Sequence, residues 1–257
     1  MVEIFIFVLG LIVGSFLNML IYRLPKGISL VNPKRSICPQ CSYTIQWYEN
    51  IPLFSYLFLK GKCGNCKEKI PLYYPFVEVL FGAILVSLFI KFGLNLEFFL
   101  ISFIIGTLVV LSIIDLHYKA VPDYLLVIAL VGSFFINEFS YQICLMFAGG
   151  AVLLEFFVTF YIQNIKAKIK KDDSLLEQKA LGEGDIPLFG LIGGILGVQL
   201  GVIAIFLAAI FAIIPSVINK IKNEDIELPF IPFLTAGFIV VYLGEKNIIF
   251  LLEKFGL

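Results

Sequence analysis

Long apolar runs alternate with short polar ones along most of the chain, a rhythm that restricts it to a bundle of membrane-spanning helices. In hydrocarbon a backbone must satisfy its own amides, so each run of about 17 or more apolar residues is read as a helix able to cross a core roughly 30 Å thick. Runs near 3–22, 73–91, 97–115, 122–138, 142–162, 186–199, 201–218 and 230–249 predict an all-α polytopic protein with about eight spans. The stretch 186–218 is too long for one helix, and Gly197, Gln199 and Gly201 supply a turn that divides it. Composition agrees: 60% of the residues are hydrophobic and 15% charged.

An even number of spans puts both termini on one side and the loops 23–72, 116–121, 163–185 and 219–229 on the other. Those loops carry sixteen of the nineteen Lys and Arg residues, among them Lys119, Lys171, Lys179, Lys220 and Lys222. Retained positive charge marks the cytoplasmic face, so these loops are expected there. Only Lys91, Lys246 and Lys254 fall on the opposite face. The first apolar segment lacks a basic leader and a small-residue cleavage site, and is read as a retained span. Its Gly10, Gly14 and Ser15 are small residues that let a neighbouring helix approach. A zero net charge is uninformative by itself; nucleic acid is not expected as a partner, and membrane lipid is.

Residues 23–72 form the one sizeable polar segment, too short for a large core of its own. It holds Cys38-Pro39-Gln40-Cys41 and Cys63-Gly64-Asn65-Cys66, two knuckles that can each turn two thiolates to one side. Cys38, Cys41, Cys63 and Cys66 together suit a closed tetrahedral zinc site, structural because no coordination position is left open. Disulfides compete for the same residues, but a lysine-rich face is the reducing one. Cys144, inside an apolar run, reads as a small buried side chain.

Carboxylates at bilayer depth are costly, and each is a candidate for function. Glu78, at the start of the second span, suits a helix N-terminus and is read as structural capping. Glu155, mid-span, must be protonated or paired across helices, and the sequence does not choose. Asp115 closes the third span and Asp185 ends Gly182-Glu183-Gly184-Asp185 ahead of a new apolar run, so both are expected at the cytoplasmic edge. A pair of carboxylates sharing one proton can hydrolyse a peptide, the ionised one taking a proton from water and the protonated one polarising the carbonyl. Helix-end capping and a cation or proton path remain open for the same residues. With one histidine, His117, and neither a G-x-S-x-G elbow nor a phosphate-binding glycine loop, other chemistries are poorly supplied.

The chain resembles bacterial type IV prepilin peptidases, the bifunctional leader peptidase and N-methyltransferase group of GxGD membrane aspartic peptidases. The resemblance rests on Gly14-Ser15-Phe16-Leu17-Asn18 with Tyr22-Arg23-Leu24-Pro25, both knuckles with Asn50-Ile51-Pro52 between them, and Tyr74-Pro75-Phe76-Val77-Glu78. It continues through Asp115 with Pro122-Asp123, Gly182-Glu183-Gly184-Asp185 and Pro229-Phe230-Ile231-Pro232-Phe233, in order over nearly the whole chain.

It implies that Asp115 and Asp185 are catalytic, that Asp123 is instead the N-cap of the fourth span, and that the substrates are prepilins and pseudopilins with a hydrophobic N-terminal helix. It also implies an inner-membrane location with the aspartates and the cysteine loop facing the cytoplasm. Methylation of the new N-terminus from S-adenosylmethionine goes with the cysteine loop, where Gly61 is a candidate contributor or simply a turn residue. The domains expected are a first helix over 1–22, a zinc loop domain over 23–72 and a peptidase domain over 73–257. Pro187 stands where many relatives carry a lysine two residues after the second aspartate. Alternatives are a leader peptidase without methyl transfer, or a non-enzymatic channel or scaffold with a zinc loop.

Overall fold

The computed structural model describes residues 1–170, 176, 181–221 and 228–255; of the loop lysines, Lys171, Lys179 and Lys222 lie outside them. Among the described residues the secondary structure is helical, without strands beyond two isolated bridges. The chain divides into two compact units, Met1–Tyr118 and Lys119–Leu257.

The first unit contains α1 (Val2–Arg23), α2 (Phe54–Phe58), α3 (Tyr73–Phe92) and α4 (Leu96–Tyr118). α1, α3 and α4 are each long and apolar enough to cross a bilayer. α1 and α3 pack backbone against backbone: a Cβ added at Gly10 would lie 2.5 Å from Gly82 Cα, and one at Gly14 would lie 2.7 Å from Glu78 Cα. This is the close approach expected of the small residues on α1. In lipid it maximises van der Waals contact where no hydrophobic force distinguishes a neighbouring helix from acyl chains. α4, the most enclosed of the three, contacts both, and a Cβ at its Gly106 would touch the ring of Phe81 at 3.3 Å.

The segment between α1 and α3 is organised by two buried charges. Arg23, the last residue of α1, donates to the carbonyls of Ser29, Leu30, Pro33 and Arg35 at 2.9–3.2 Å, gathering one strand of the loop around its planar fork. Glu78 of α3 accepts the Leu53 backbone N–H at 2.7 Å, at the start of α2. Glu78 therefore caps, as expected, but the amide belongs to a helix of the loop rather than to its own.

The second unit contains α5 (Asp123–Ser133), α6 (Tyr141–Tyr161), a π-helical turn (Ile162–Lys166) continuing into α7 (Ala167–Lys170), α8 (Asp185–Ile221) and α9 (Ile231–Phe255). α6, α8 and α9 are long and apolar enough to span, which with the first unit makes six such helices among the described residues, α8 counted once. α8 is broken at Gly197, whose φ of 74° and ψ of −173° are not helical, so the predicted division of that stretch is present.

The fourth expected span, 122–138, is a helix of only 11 residues, too short to cross the hydrocarbon alone at 1.5 Å per residue. The chain just beyond it packs sideways. Phe139 fills the space left by the missing side chain of Gly194, the Ser140 N–H bonds the Gly194 carbonyl at 2.9 Å, and the rings of Phe134, Phe139 and Tyr141 meet at tilted and edge-on angles. Apolar length is consumed by packing instead of spanning, which a hydropathy count cannot distinguish. On the other side, Gly193 and Gly201 of α8 leave room for the ring of Phe147 on α6, and Gly237 of α9 sits against the Ala204 carbonyl.

These contacts make a paired expectation. Gly10→Ala places a methyl against backbone and should destabilise by about 1–3 kcal/mol. Gly149→Ala, in α6 with nothing within 4 Å of its added Cβ, should be neutral or slightly stabilising. Thermal unfolding in detergent should lower the midpoint for the first variant only.

Candidate functional site

The two cysteine knuckles are built alike. In the first, the Cys38 N–H bonds the Tyr43 carbonyl at 2.9 Å and the Ser42 N–H bonds the Cys38 carbonyl at 2.9 Å; in the second, Cys63 pairs with Glu68 at 2.8 Å and Lys67 with Cys63 at 3.2 Å. Each is closed by one antiparallel bridge, Ile37 with Thr44 and Lys62 with Lys69, and each turns at a residue of positive φ, Ser42 at 55° and Lys67 at 62°. Repetition of this turn points both pairs of sulfurs inward. The four Sγ atoms all lie within 4.8 Å of one another, with Cys38 and Cys66 at 3.9 Å, and all five cysteines of the chain are free thiols.

Tetrahedral coordination with metal–sulfur bonds of about 2.3 Å requires sulfurs roughly 3.8 Å apart, so the cluster can hold a metal with little rearrangement. Without one the thiols are unequal. The Tyr43 amide pulls Cys41 down to about 6, and the Cys66 amide pulls Cys63 down. Cys66 is drawn down by the Glu68 amide, but burial and its bonds to Cys41, Cys63 and Cys38 prevail and push it up to about 12. A thiophilic dication replaces these shared protons with one charge that all four sulfurs can face.

Around the knuckles the loop is tightly fitted. Gly64 lies against the Glu49 carboxylate, which also accepts the Gln46 N–H at 3.0 Å in a capping box. Gly61 has φ 66°, and an added Cβ would meet the Tyr56 hydroxyl at 2.8 Å, so its position demands glycine both for conformation and for space. Between this loop and the adjacent ends of α1, α3 and α4 is a cavity of about 430 Å³, walled by Tyr22, Tyr43, Tyr56, Tyr73 and Tyr118.

Asp115 lies in the last turn of α4 and is 7% exposed. His117 follows it on an exposed turn, its Nδ1 2.8 Å from the Ile113 carbonyl and its ring 5.0 Å from that of Tyr73. In the second unit Asp185 is the first residue of α8 and is 5% exposed. The turn leading to it is closed from both ends: the Asp185 N–H bonds the Gly182 carbonyl at 3.0 Å, and the Gly182 N–H bonds Asp185 Oδ2 at 3.0 Å. Gly184 is packed between Leu126 and Ile231, whose methyl carbons would be 3.3 and 3.4 Å from an added Cβ. Each aspartate is thus buried at a helix end within its own unit, as the sequence places it.

Residues 8–92 match the family model described as the bacterial peptidase A24 N-terminal domain, and residues 102–217 match that of the type IV leader peptidase family. A prepilin leader peptidase/N-methyltransferase of Bacillus subtilis is 31% identical over 252 residues, covering 95% of each chain. One from Vibrio cholerae is 30% identical over 251 residues, 93% of this chain and 95% of that protein. The chain belongs to the type IV leader peptidase family. A further relative, the type 4 prepilin-like proteins leader peptide-processing enzyme of Escherichia coli, is 34% identical over 252 residues, 89% of this chain and 88% of that protein. No solved structure matches the chain significantly.

Within this family member, some residues singled out by sequence have simple structural places. Asp123 is the first helical residue of α5, with Pro122 at the cap and no side-chain cap bond, so it acts on the helix start by charge rather than as the N-cap. Pro187 occupies the first turn of α8, where its missing N–H costs no helical bond. Glu155 accepts a 3.2 Å bond from Thr159 one turn on, a partner on its own helix. Cys144 is buried, packed on Gly190 of α8. Arg23 and Asn18 were not distinguished beyond the motif that contains them. A lone arginine at a span end reads as an orientation charge, and its four carbonyl partners are visible only once the loop is folded.

The cluster leads to a direct expectation. Cys41→Ser removes one of four ligands, and metal analysis of the purified chain should show bound thiophilic metal falling from stoichiometric to a small fraction. Ser87→Ala, on α3, should leave it unchanged.

Proposed function

We propose that the chain cleaves the leader peptide of prepilins and pseudopilins at the cytoplasmic membrane face, with Asp115 and Asp185 as the catalytic pair, and then methylates the new N-terminus from S-adenosylmethionine. What carries this reading is full-length similarity to prepilin leader peptidase/N-methyltransferases, together with two buried aspartates at helix ends in the positions that the family pattern marks.

In this mechanism one carboxylate is ionised and accepts a proton from water as the oxygen attacks the scissile carbonyl, while the other donates a hydrogen bond to the carbonyl oxygen. Collapse of the tetrahedral intermediate breaks the C–N bond, and the leaving amine takes up the proton. Asp185 is suited to the negative charge, since it stands at the N-terminus of α8 and accepts the Gly182 N–H. A substrate helix lying in the bilayer would bring its leader junction to the membrane edge, where carboxylates at helix ends can reach it. The released amine, once neutral, attacks the methyl carbon of the sulfonium donor; the C–S bond breaks and its electron pair stays on sulfur.

The four cysteines are assigned structural zinc, which would shape the loop and take no part in either reaction. Residues 23–72 are assigned to methyl transfer and 73–257 to peptide hydrolysis, with 1–22 as the first span and Gly61 as a turn that the methyl-transfer loop requires. Membrane lipid surrounds the spans, and nucleic acid is not a partner.

Cleavage of a prepilin peptide by the solubilised chain tests the assignment. Asp115→Asn and Asp185→Asn should each lose at least about a thousandfold in kcat/KM, the order expected when a member of a concerted catalytic pair is removed. Full activity in either variant would refute the pair. Mass analysis of the product after adding S-adenosylmethionine should show the gain of one methyl group; an unchanged mass with active peptidase supports the leader peptidase without methyl transfer.

A further inference from the structure

The tyrosine-walled cavity of the first unit has an unusual floor. Glu78 lies there, 8% exposed, its carboxylate already holding the Leu53 N–H at 2.7 Å. Beside it is Asn18 of α1, 3% exposed. The Asn18 side-chain NH₂ donates to the Tyr74 carbonyl at 2.9 Å, which fixes the amide orientation, and its Oδ1 is buried with no hydrogen-bond partner. A buried acceptor without a donor is costly, and native structures keep few of them. Here the two residues that carry these acceptors, Glu78 and Asn18, both border one small-molecule-sized space, the Asn18 oxygen itself being buried behind its wall.

Three cations border the cavity, Arg23, Lys26 and Lys69, against three carboxylates, Glu49, Glu68 and Glu78. Arg23 is spent on four loop carbonyls, and Lys26 Nζ lies over the Tyr22 ring at 3.9 Å. Aromatic faces favour a positively charged guest over an anion. We propose that this cavity binds a primary α-ammonium group, with Asn18 Oδ1 and the Glu78 carboxylate as its acceptors. It rests on the methyl-transfer reading above, since both partners of that reaction carry such a group: the amino-acid end of S-adenosylmethionine, and the N-terminus that cleavage exposes. Tyr118, three residues beyond Asp115 on α4, lines the same cavity.

Calorimetric titration of the full solubilised chain distinguishes the two sources. One arm compares S-adenosylhomocysteine with 5′-methylthioadenosine, both neutral thioethers of which only the first carries the α-amino acid; the other compares a mature pilin N-terminal peptide with its N-acetylated form. In one arm the ammonium-bearing ligand should bind the wild type at least about tenfold more tightly than its counterpart, the scale of a charged hydrogen bond. Glu78→Gln keeps an acceptor for the Leu53 N–H but removes the charge, so the loop should stay closed, as metal content and thermal midpoint report, while that preference falls by about tenfold. A merely structural Glu78 would leave the preference intact in the variant. Equal binding within both pairs of ligands in the wild type, or an unaltered preference in Glu78→Gln, overturns the proposal. Absence of methyl transfer by the wild type refutes the functional reading instead, and the affinities still decide the cavity.

Discussion

Hydrocarbon offers a backbone amide no partner but another part of the chain, and the rest of this molecule follows from that single demand. It makes every long apolar run a helix, and it makes contact between helices depend on shape rather than on the hydrophobic effect. The pairing of Gly10 with Gly82 and of Gly14 with the backbone at Glu78 is one answer. The seating of Phe147 and Phe139 in the space above α8 glycines is another. The same demand pushes carboxylates to helix ends. Asp115 and Asp185 occupy such ends, buried yet within a turn of polar backbone.

A second consequence concerns the segment between α1 and α3. It has too few apolar residues for an independent core, so it is stapled at three points: the four-thiol cluster, the Arg23 fork and the Glu78 bond to Leu53. Two of these are charges contributed by membrane helices. The loop is therefore continuous with the bundle at its base, and the cavity between them is a property of both. Glycines at 61 and 64 are held against Tyr56 and Glu49, so a side chain at either position would have to displace its neighbour.

Much of this was readable from sequence because its causes are local. Apolar run length gives a span, C-x-x-C gives a knuckle, and Gly197 broke the long run where a glycine in the left-handed region can turn the chain. The glycine face of α1 was readable for the same reason. What was not readable depends on partners distant in sequence. The 122–138 stretch has the hydropathy of a span, yet the chain just beyond it, at Phe139 and Ser140, packs on Gly194, more than fifty residues on. Asn18 looks like one residue of a motif until its buried, unpartnered oxygen is found beside a cavity. Glu78 was legible as a cap, but not as the cap of a helix in another segment. The four-thiol cluster was legible in residue identity, while the near-identical turns that aim the sulfurs needed the folded backbone.

The most direct test of the account is the pH dependence of kcat/KM for prepilin cleavage. A carboxylate pair in which one member must be ionised and the other protonated gives a bell-shaped profile bounded by two ionisations that belong to the pair. Asp115→Glu, if it retains activity, should keep the bell and move its limbs. A rate that rises with pH to a plateau through a single ionisation, in the wild type, would contradict an aspartate dyad and with it the central claim.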